Sequence, residues 1–184
     1  MLTERFDEAL VWASQLHREQ TRKGAGAPYI SHLMAVTALV LEAGGDEDEA
    51  IAAVLHDAIE DQGGPQTREE IRRRFGDRVT ELVDGCTDAE EMPKPPWRER
   101  KEAFIASIES APHSVRLIVT ADKLHNVSCS IADLEREGSD AWKRFRGREK
   151  ALWYYRSVTA ALESAGENAL TPRLRRALER LESL

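Results

Sequence analysis

Three runs of otherwise apolar sequence are interrupted by side chains that could bind a metal. Ala50-Ile51-Ala52-Ala53-Val54-Leu55 is apolar on every side of a helix and continues as Ala58-Ile59, yet it carries His56, Asp57, Glu60 and Asp61. A helix that is apolar all round is normally central and buried. His56 and Glu60 stand one turn apart, as do Asp57 and Asp61, so the four make one polar patch. Around residues 114–134, Val115, Ile118 and Val119 define an apolar row, and Asp122, His125 and Asn126 fall on its continuation at three-and-four spacing. His32 stands alone among Ile30, Leu33, Val36 and Val40. Burying carboxylates without compensation is costly. A divalent cation is the simplest compensation, because it takes deprotonated carboxylates and neutral imidazole.

The chemistry this would allow is specific. Two imidazoles and two carboxylates form a mixed nitrogen and oxygen set, suited to manganese, iron or zinc rather than calcium. Four protein ligands on an octahedral ion leave two positions for water and substrate, and such an ion can activate water and polarise a phosphoryl oxygen. Each signal also has a plain structural reading. A lone helical histidine is more often a core or surface residue, Glu60-Asp61 alone would be a solvated helix end, and a His-Asp pair is common by chance. Composition and spacing leave a metal site and a purely structural account both open.

The elements that must position these residues read as helix almost throughout. Residues 3–19 put Phe6, Leu10, Ala13 and Leu16 on one face. A basic, glycine-rich turn, Arg22 to Pro28, precedes a second helix over about 29–43, ended by Gly44-Gly45. Asp46 with Glu49 forms a capping pair for a third helix over about 47–61, which stops at Gly63-Gly64-Pro65. Thr67 with Glu70 reads as another capping box, and Phe75-Gly76-Asp77 separates two short helices. Prolines 93, 95 and 96 forbid a helix in the loop from Ala89 to Pro96. Helices follow over about 97–110, 114–134 and 148–164, and Thr171-Pro172 starts the last. No strand, repeat or domain linker is evident. The expectation is an all-α fold, one helical bundle over residues 1–184, with a motif-bearing core over about 5–134 and a helical extension over about 135–184.

Bulk properties exclude some classes. The 184 residues are 41% hydrophobic and 32% charged, as in a soluble globular chain. No apolar run approaches a membrane span, and no signal peptide precedes the first amphipathic helix. The formal net charge of −7 argues against a nucleic-acid-binding face, though not against an anionic small substrate beside a metal. Cys86 and Cys129 have no partner spacing, so a reducing cytoplasm is the expected setting.

In order along the chain, these motifs resemble the HD superfamily of metal phosphohydrolases, and within it the RelA/SpoT-type alarmone hydrolases. Arg22-Lys23 followed by Pro28-Tyr29-Ile30-Ser31-His32 resembles "RK…PYI.H". Leu55-His56-Asp57-Ala58-Ile59-Glu60-Asp61 resembles "LHD..ED". Phe75-Gly76-Asp77 with Leu82-Val83-Asp84-Gly85-Cys86-Thr87 resembles "FG..V..LVDG.T", and Ala121-Asp122-Lys123-Leu124-His125-Asn126 resembles "ADRLHN". The resemblance implies an HD-domain bundle with a central buried helix carrying His-Asp. It implies hydrolysis of (p)ppGpp, with release of the 3′-pyrophosphate at a manganese ion, another divalent metal remaining an alternative. By position, His32, His56, Asp57 and Asp122 would hold the metal. Glu60 and Asp61 would orient or deprotonate the attacking water. Arg22, Lys23 and Asn126 would bind the purine nucleotide, Arg22 by stacking on the base.

The match has departures. The turn from Arg22 to His32 is one residue longer than in the long enzymes and reads Gly24-Ala25-Gly26-Ala27, which puts guanine over adenine in doubt. Val127-Ser128-Cys129-Ser130 departs from the usual pattern after Asn126. His125 is expected to brace Asp122. Lys143, Arg144, Arg146, Arg148 and Lys150 read as a solvated basic stretch, with contact to 5′-phosphates the alternative, and Trp153, Tyr154 and Tyr155 as core aromatics or an oligomer contact. Action on another nucleotide and a non-catalytic nucleotide sensor are the competing readings of the whole.

Overall fold

A computed structural model of the chain describes residues 1–23, 26–88 and 93–184. Thr3 opens the first helix, α1 (Glu4–Leu16), by accepting from the Arg5 amide. The chain then turns, and Thr21 bridges Pro28 in an isolated antiparallel pair that closes the basic turn below α2 (Ile30–Glu42). Gly24 and Ala25 of that turn lie outside the described residues, as do Ala89, Glu90, Glu91 and Met92 of the proline-rich loop.

The Asp46–Glu49 capping box forms as the sequence implies and starts α3 (Glu47–Leu55). Ala50 through Leu55 are fully buried, so the all-round apolar helix is the centre of the fold. It packs against α1, α2, α6 (Asp77–Cys86) and α8 (His113–Glu137). One contiguous apolar cluster runs from Ala9 in α1 to Leu181 near the end of the chain.

Three local expectations need correction. The single helix expected over 47–61 is broken: α3 stops at Leu55 and a short α4 (Ala58–Asp61) follows, with Asp57 at φ −98°, ψ 0° between them. His56 Nδ1 donates to the Ala53 carbonyl at 2.8 Å, the oxygen that the Asp57 amide would use in an uninterrupted helix. The Thr67–Glu70 capping box does not form. Gly64, at φ 57°, lets α5 (Pro65–Phe75) start three residues earlier with proline in its first turn. Thr67 Oγ1 instead donates to the Gln62 carbonyl at 2.6 Å, and Glu70 pairs with Arg73 and Arg74. Finally, α1 ends at Leu16 rather than residue 19, which leaves His17 and Gln20 free to point inward from a turn.

Beyond the loop come α7 (Trp97–Ile108) and the 25-residue α8, which continues past its expected end to Glu137. A 3-10 helix (Gly138–Phe145), α9 (Arg148–Ala165) and α10 (Thr171–Glu182) then fold back, α10 lying along α8 and α9 against α7. The last helix begins at Thr171-Pro172 as expected. Among the described residues there is no strand, and no helix is long and apolar enough to cross a membrane.

Gly85 marks where α6 meets α8 most closely. A Cβ on it would lie 2.7 Å and 2.8 Å from the two methyl carbons of Val115. Alanine gains about 1 kcal/mol in helix propensity, but overpacking of a rigid contact costs about 1–3 kcal/mol. Gly85→Ala is therefore expected to lower the urea midpoint, and an unchanged or raised midpoint would contradict this close approach.

Candidate active site

Three elements converge on one point. His32 comes from the first turn of α2, His56 and Asp57 from the break between α3 and α4, and Asp122 from the middle of α8. His32 Nε2 lies 3.2 Å from Asp122 Oδ1 and 3.6 Å from Asp57 Oδ2. His56 Nε2 lies 3.1 Å from Asp57 Oδ2 and 3.8 Å from Asp122 Oδ1. Donor atoms of His32, His56 and Asp57 fall within 4.8 Å of one another, with Asp122 beside them.

The hydrogen bonding shows what this arrangement fits. His56 Nδ1 can only donate to the Ala53 carbonyl, so a neutral His56 points an Nε2 lone pair at two carboxylates. That Nε2 is buried and makes no hydrogen bond. Carboxylate oxygens and an imidazole lone pair facing each other need a cation between them, and a divalent ion fits this donor set. Burial opposes a charge on His56, but Asp57 and Asp122 outweigh it and hold its pKa well above the usual histidine value. Burial likewise opposes ionisation of the two carboxylates. His56 outweighs it at Asp57, and Lys123 with the two histidines outweighs it at Asp122, so both stay ionised.

A second layer aims these groups. Tyr29 OH donates to Asp57 Oδ2 at 2.6 Å, and burial plus that carboxylate push its pKa up, keeping the proton in place. Asn126 Nδ2 donates to Asp122 Oδ1, and Lys123 donates to Asp122 Oδ2. The expected brace of Asp122 by His125 is not made. His125 Nδ1 lies 2.8 Å from His32 Nδ1 instead. Burial, His32 and Arg22 push the His125 pKa down to about 4, so its ring is neutral and can accept a hydrogen bond from His32 Nδ1–H. That bond leaves His32 Nε2 free as a ligand.

A cavity of about 650 Å³ opens over this cluster. Glu60 and Asp61 both line it, but they are held differently. Glu60 Oε1 accepts from Lys94 at 2.9 Å. Burial and Asp88 raise the Glu60 pKa, with Lys94 opposing. Asp61 Oδ2 accepts from the Gln20 amide at 2.8 Å. Arg22, Lys23 and Asn126 line the same cavity, and Arg22 donates to Asn126 Oδ1 at 2.7 Å. Of the nine residues singled out for the site, eight line this space, and His56 lies buried behind Asp57.

The sequence reading missed part of the wall. Tyr154 and Tyr155, read as core aromatics or an oligomer contact, line the cavity, as do Lys101, Asp88 and Arg136. Burial pushes the Tyr155 phenol up to about 12. The tyrosines sit on α9, which carries no motif, so only packing could reveal them. The basic stretch read as solvated is largely occupied elsewhere: Lys143 pairs with Asp140, Arg144 with Glu137, and Arg148 donates to the Glu182 carbonyl.

The chain is similar to proteins of known family. The HD domain family pattern matches residues 9–151. A guanosine-3′,5′-bis(diphosphate) 3′-pyrophosphohydrolase of Xenopus tropicalis is 36% identical over 152 residues, covering 79% of this chain and 78% of that protein. Its counterpart in Danio rerio is 35% identical over the same length, with the same coverage of each chain. A solved structure of a metazoan orthologue of SpoT, described as hydrolysing ppGpp, superposes with a TM-score of 0.80 at 30% identity, covering 99% of this chain and 98% of that one.

Two outcomes test the centre itself. Removing divalent metal by chelation should lower the melting temperature, because an ion that binds only the folded chain stabilises it. An unchanged melt after verified metal removal would count against the site. Tyr29→Phe should weaken divalent-metal affinity about tenfold, since partners of ligands commonly contribute that much, and titration calorimetry would detect it.

Proposed function

This chain belongs to the HD-domain family, and on that premise we propose that it is a metal-dependent (p)ppGpp hydrolase that releases the 3′-pyrophosphate and leaves GDP or GTP. The observation that carries this reading is the convergence of His32, His56, Asp57 and Asp122 at the floor of a cavity whose walls bring Glu60, Asp61, Arg22, Lys23 and Asn126 together. The cavity volume of about 650 Å³ suits a nucleotide bearing two diphosphates, within the usual range for small-molecule sites.

In this reading His32, His56, Asp57 and Asp122 hold the ion. When bound there, a divalent ion, proposed to be manganese, would supply Lewis-acid chemistry to the phosphoryl group and to water. Glu60 and Asp61 orient that water and take its proton. The water oxygen bonds to the phosphorus attached to the ribose 3′-oxygen, the bond from that phosphorus to the 3′-oxygen breaks, and the 3′-oxygen gains a proton. Arg22 stacks on or contacts the purine, Lys23 faces phosphate, and Asn126, held by Arg22 at 2.7 Å, meets the nucleoside. Tyr154 and Tyr155 supply an aromatic wall. In this reading residues 1–184 form one domain, supported by Phe145 of the 3-10 helix and Tyr154 and Tyr155 of α9 in the cavity wall and by α10 packing on α8. The free thiols of Cys86 and Cys129 accord with a cytoplasmic setting.

Purified protein incubated with manganese and ppGpp should yield GDP and pyrophosphate on ion exchange, with turnover falling by more than about a hundredfold in Asp57→Ala, in keeping with loss of a metal ligand. No turnover of ppGpp with metal confirmed bound, but orthophosphate release from another nucleotide, would replace this substrate while leaving the metal chemistry.

A further inference from the structure

We propose that Gln20 is a positioning residue that aims Asp61, and that the turn after α1 is thereby part of the reaction machinery. This rests on Asp61 acting on the attacking water as proposed above. Asp61 is exposed to the cavity, so its carboxylate would turn freely without a partner. Its hydrogen bond comes from a side-chain amide, Gln20 Nε2, at 2.8 Å.

The amide is fixed at both ends. A carboxylate can only accept, so the nitrogen of Gln20 must face Asp61 and its oxygen must face away. That oxygen lies 2.6 Å from Gln62 Nε2 and 2.7 Å from His17 Nδ1, two donors that converge on it. His17 is 2% exposed and its ring stacks on Tyr29, with centroids 5.2 Å apart and planes at 17°. Tyr29 in turn donates to Asp57. Gln62 belongs to the turn that directly follows Asp61. A side-chain cluster thus ties Asp61 to the turn bearing Gln20, 41 residues away in sequence, and through His17 and Tyr29 to Asp57.

The partner's charge separates the two carboxylates of the cavity. Glu60 Oε1 is taken up by the Lys94 ammonium at 2.9 Å, so that oxygen is already engaged by a charged donor, although burial and Asp88 raise the pKa of the group. Gln20 gives Asp61 direction without adding charge. In this arrangement Asp61 is the better aimed acceptor for a proton from water, and Gln20 sets that aim. Small errors of aim are costly, since a displacement of about 1 Å at a reacting group can cost about a hundredfold in rate.

The test pairs kinetics with a spectroscopic readout. Gln20→Met keeps the length and removes the amide. It should lower kcat for ppGpp by about 10- to 100-fold, with KM and manganese affinity each within about twofold, because Gln20 touches neither ion nor substrate in this reading. In the metal-loaded protein, the Gln20 side-chain amide protons should give a resolved, exchange-protected NMR pair that collapses toward free-amide shifts in Asp61→Ala. Should Gln20→Met not fold, Gln62→Met removes one of the two donors on the Gln20 oxygen and should lower kcat in the same selective way. An unchanged kcat, or a loss seen equally in KM or metal affinity, would overturn the proposal while leaving the hydrolase reading intact. If wild-type protein turned over no ppGpp, that reading would fail and the NMR result alone would decide: Gln20 amide signals indifferent to Asp61→Ala would overturn the positioning role.

Discussion

The structure depends on a set of lone pairs that face one another inside an apolar bundle. Carboxylates of Asp57 and Asp122 and the Nε2 atoms of His32 and His56 converge, with separations of 3.1 to 3.8 Å and His56 Nε2 left without a hydrogen bond. Such a cluster is unfavourable unless a positive charge stands among its members. The rest of the fold can be understood as what holds these atoms together against their repulsion. Apolar burial of Ala50 to Leu55 fixes the helix that delivers His56. Tyr29 and Asn126 donate to the same oxygens of Asp57 and Asp122 that face the imidazoles, and Lys123 donates to the other oxygen of Asp122.

The break between α3 and α4 is the local expression of that constraint. In an unbroken helix, neighbouring side chains diverge by about 100°, so His56 and Asp57 could not share a ligand. Bending the backbone at Asp57 brings its Oδ2 to 3.1 Å from His56 Nε2. The same bend turns Glu60 and Asp61 toward the cavity. One distortion therefore serves both binding and reaction geometry. The bond from His56 Nδ1 to Ala53 does two things at once: it sets the tautomer and occupies the helical acceptor.

Much of this was legible in the sequence, because polar residues in buried helices are expensive and therefore informative. His56 and Asp57 in a run of alanine, isoleucine and valine, and Asp122 on an apolar row, revealed both the central helices and the site they share. The expectation of an all-helical fold held for the same reason, since apolar residues recur at three and four. What escaped was set by long-range packing or by competition for single hydrogen bonds. Thr67 has the spacing of a cap, but Gly64 and Pro65 start the helix first. His125 has the spacing to brace Asp122, yet its ring meets His32 across the bundle. Tyr154 and Tyr155 carry no local mark of function, and they reach the cavity only because α9 folds back.

The length of α8 has a consequence of its own. Asp122, Asn126, Cys129, Asp133 and Arg136 all line the cavity from one uninterrupted helix. From Asp122 to Arg136 that rod advances about 21 Å, at about 1.5 Å per residue. It works as a ruler laid along the cavity floor, with its graduations set by backbone hydrogen bonds. Changing a side chain along it alters what is met at a given mark, whereas the spacing between marks stays constant. Inserting one residue between Asp122 and Arg136 would swing the distal half of the scale by about 100° and face it away from the cavity. A substitution along this helix therefore leaves the distance from Asp122 to the far wall unchanged, whereas an insertion does not.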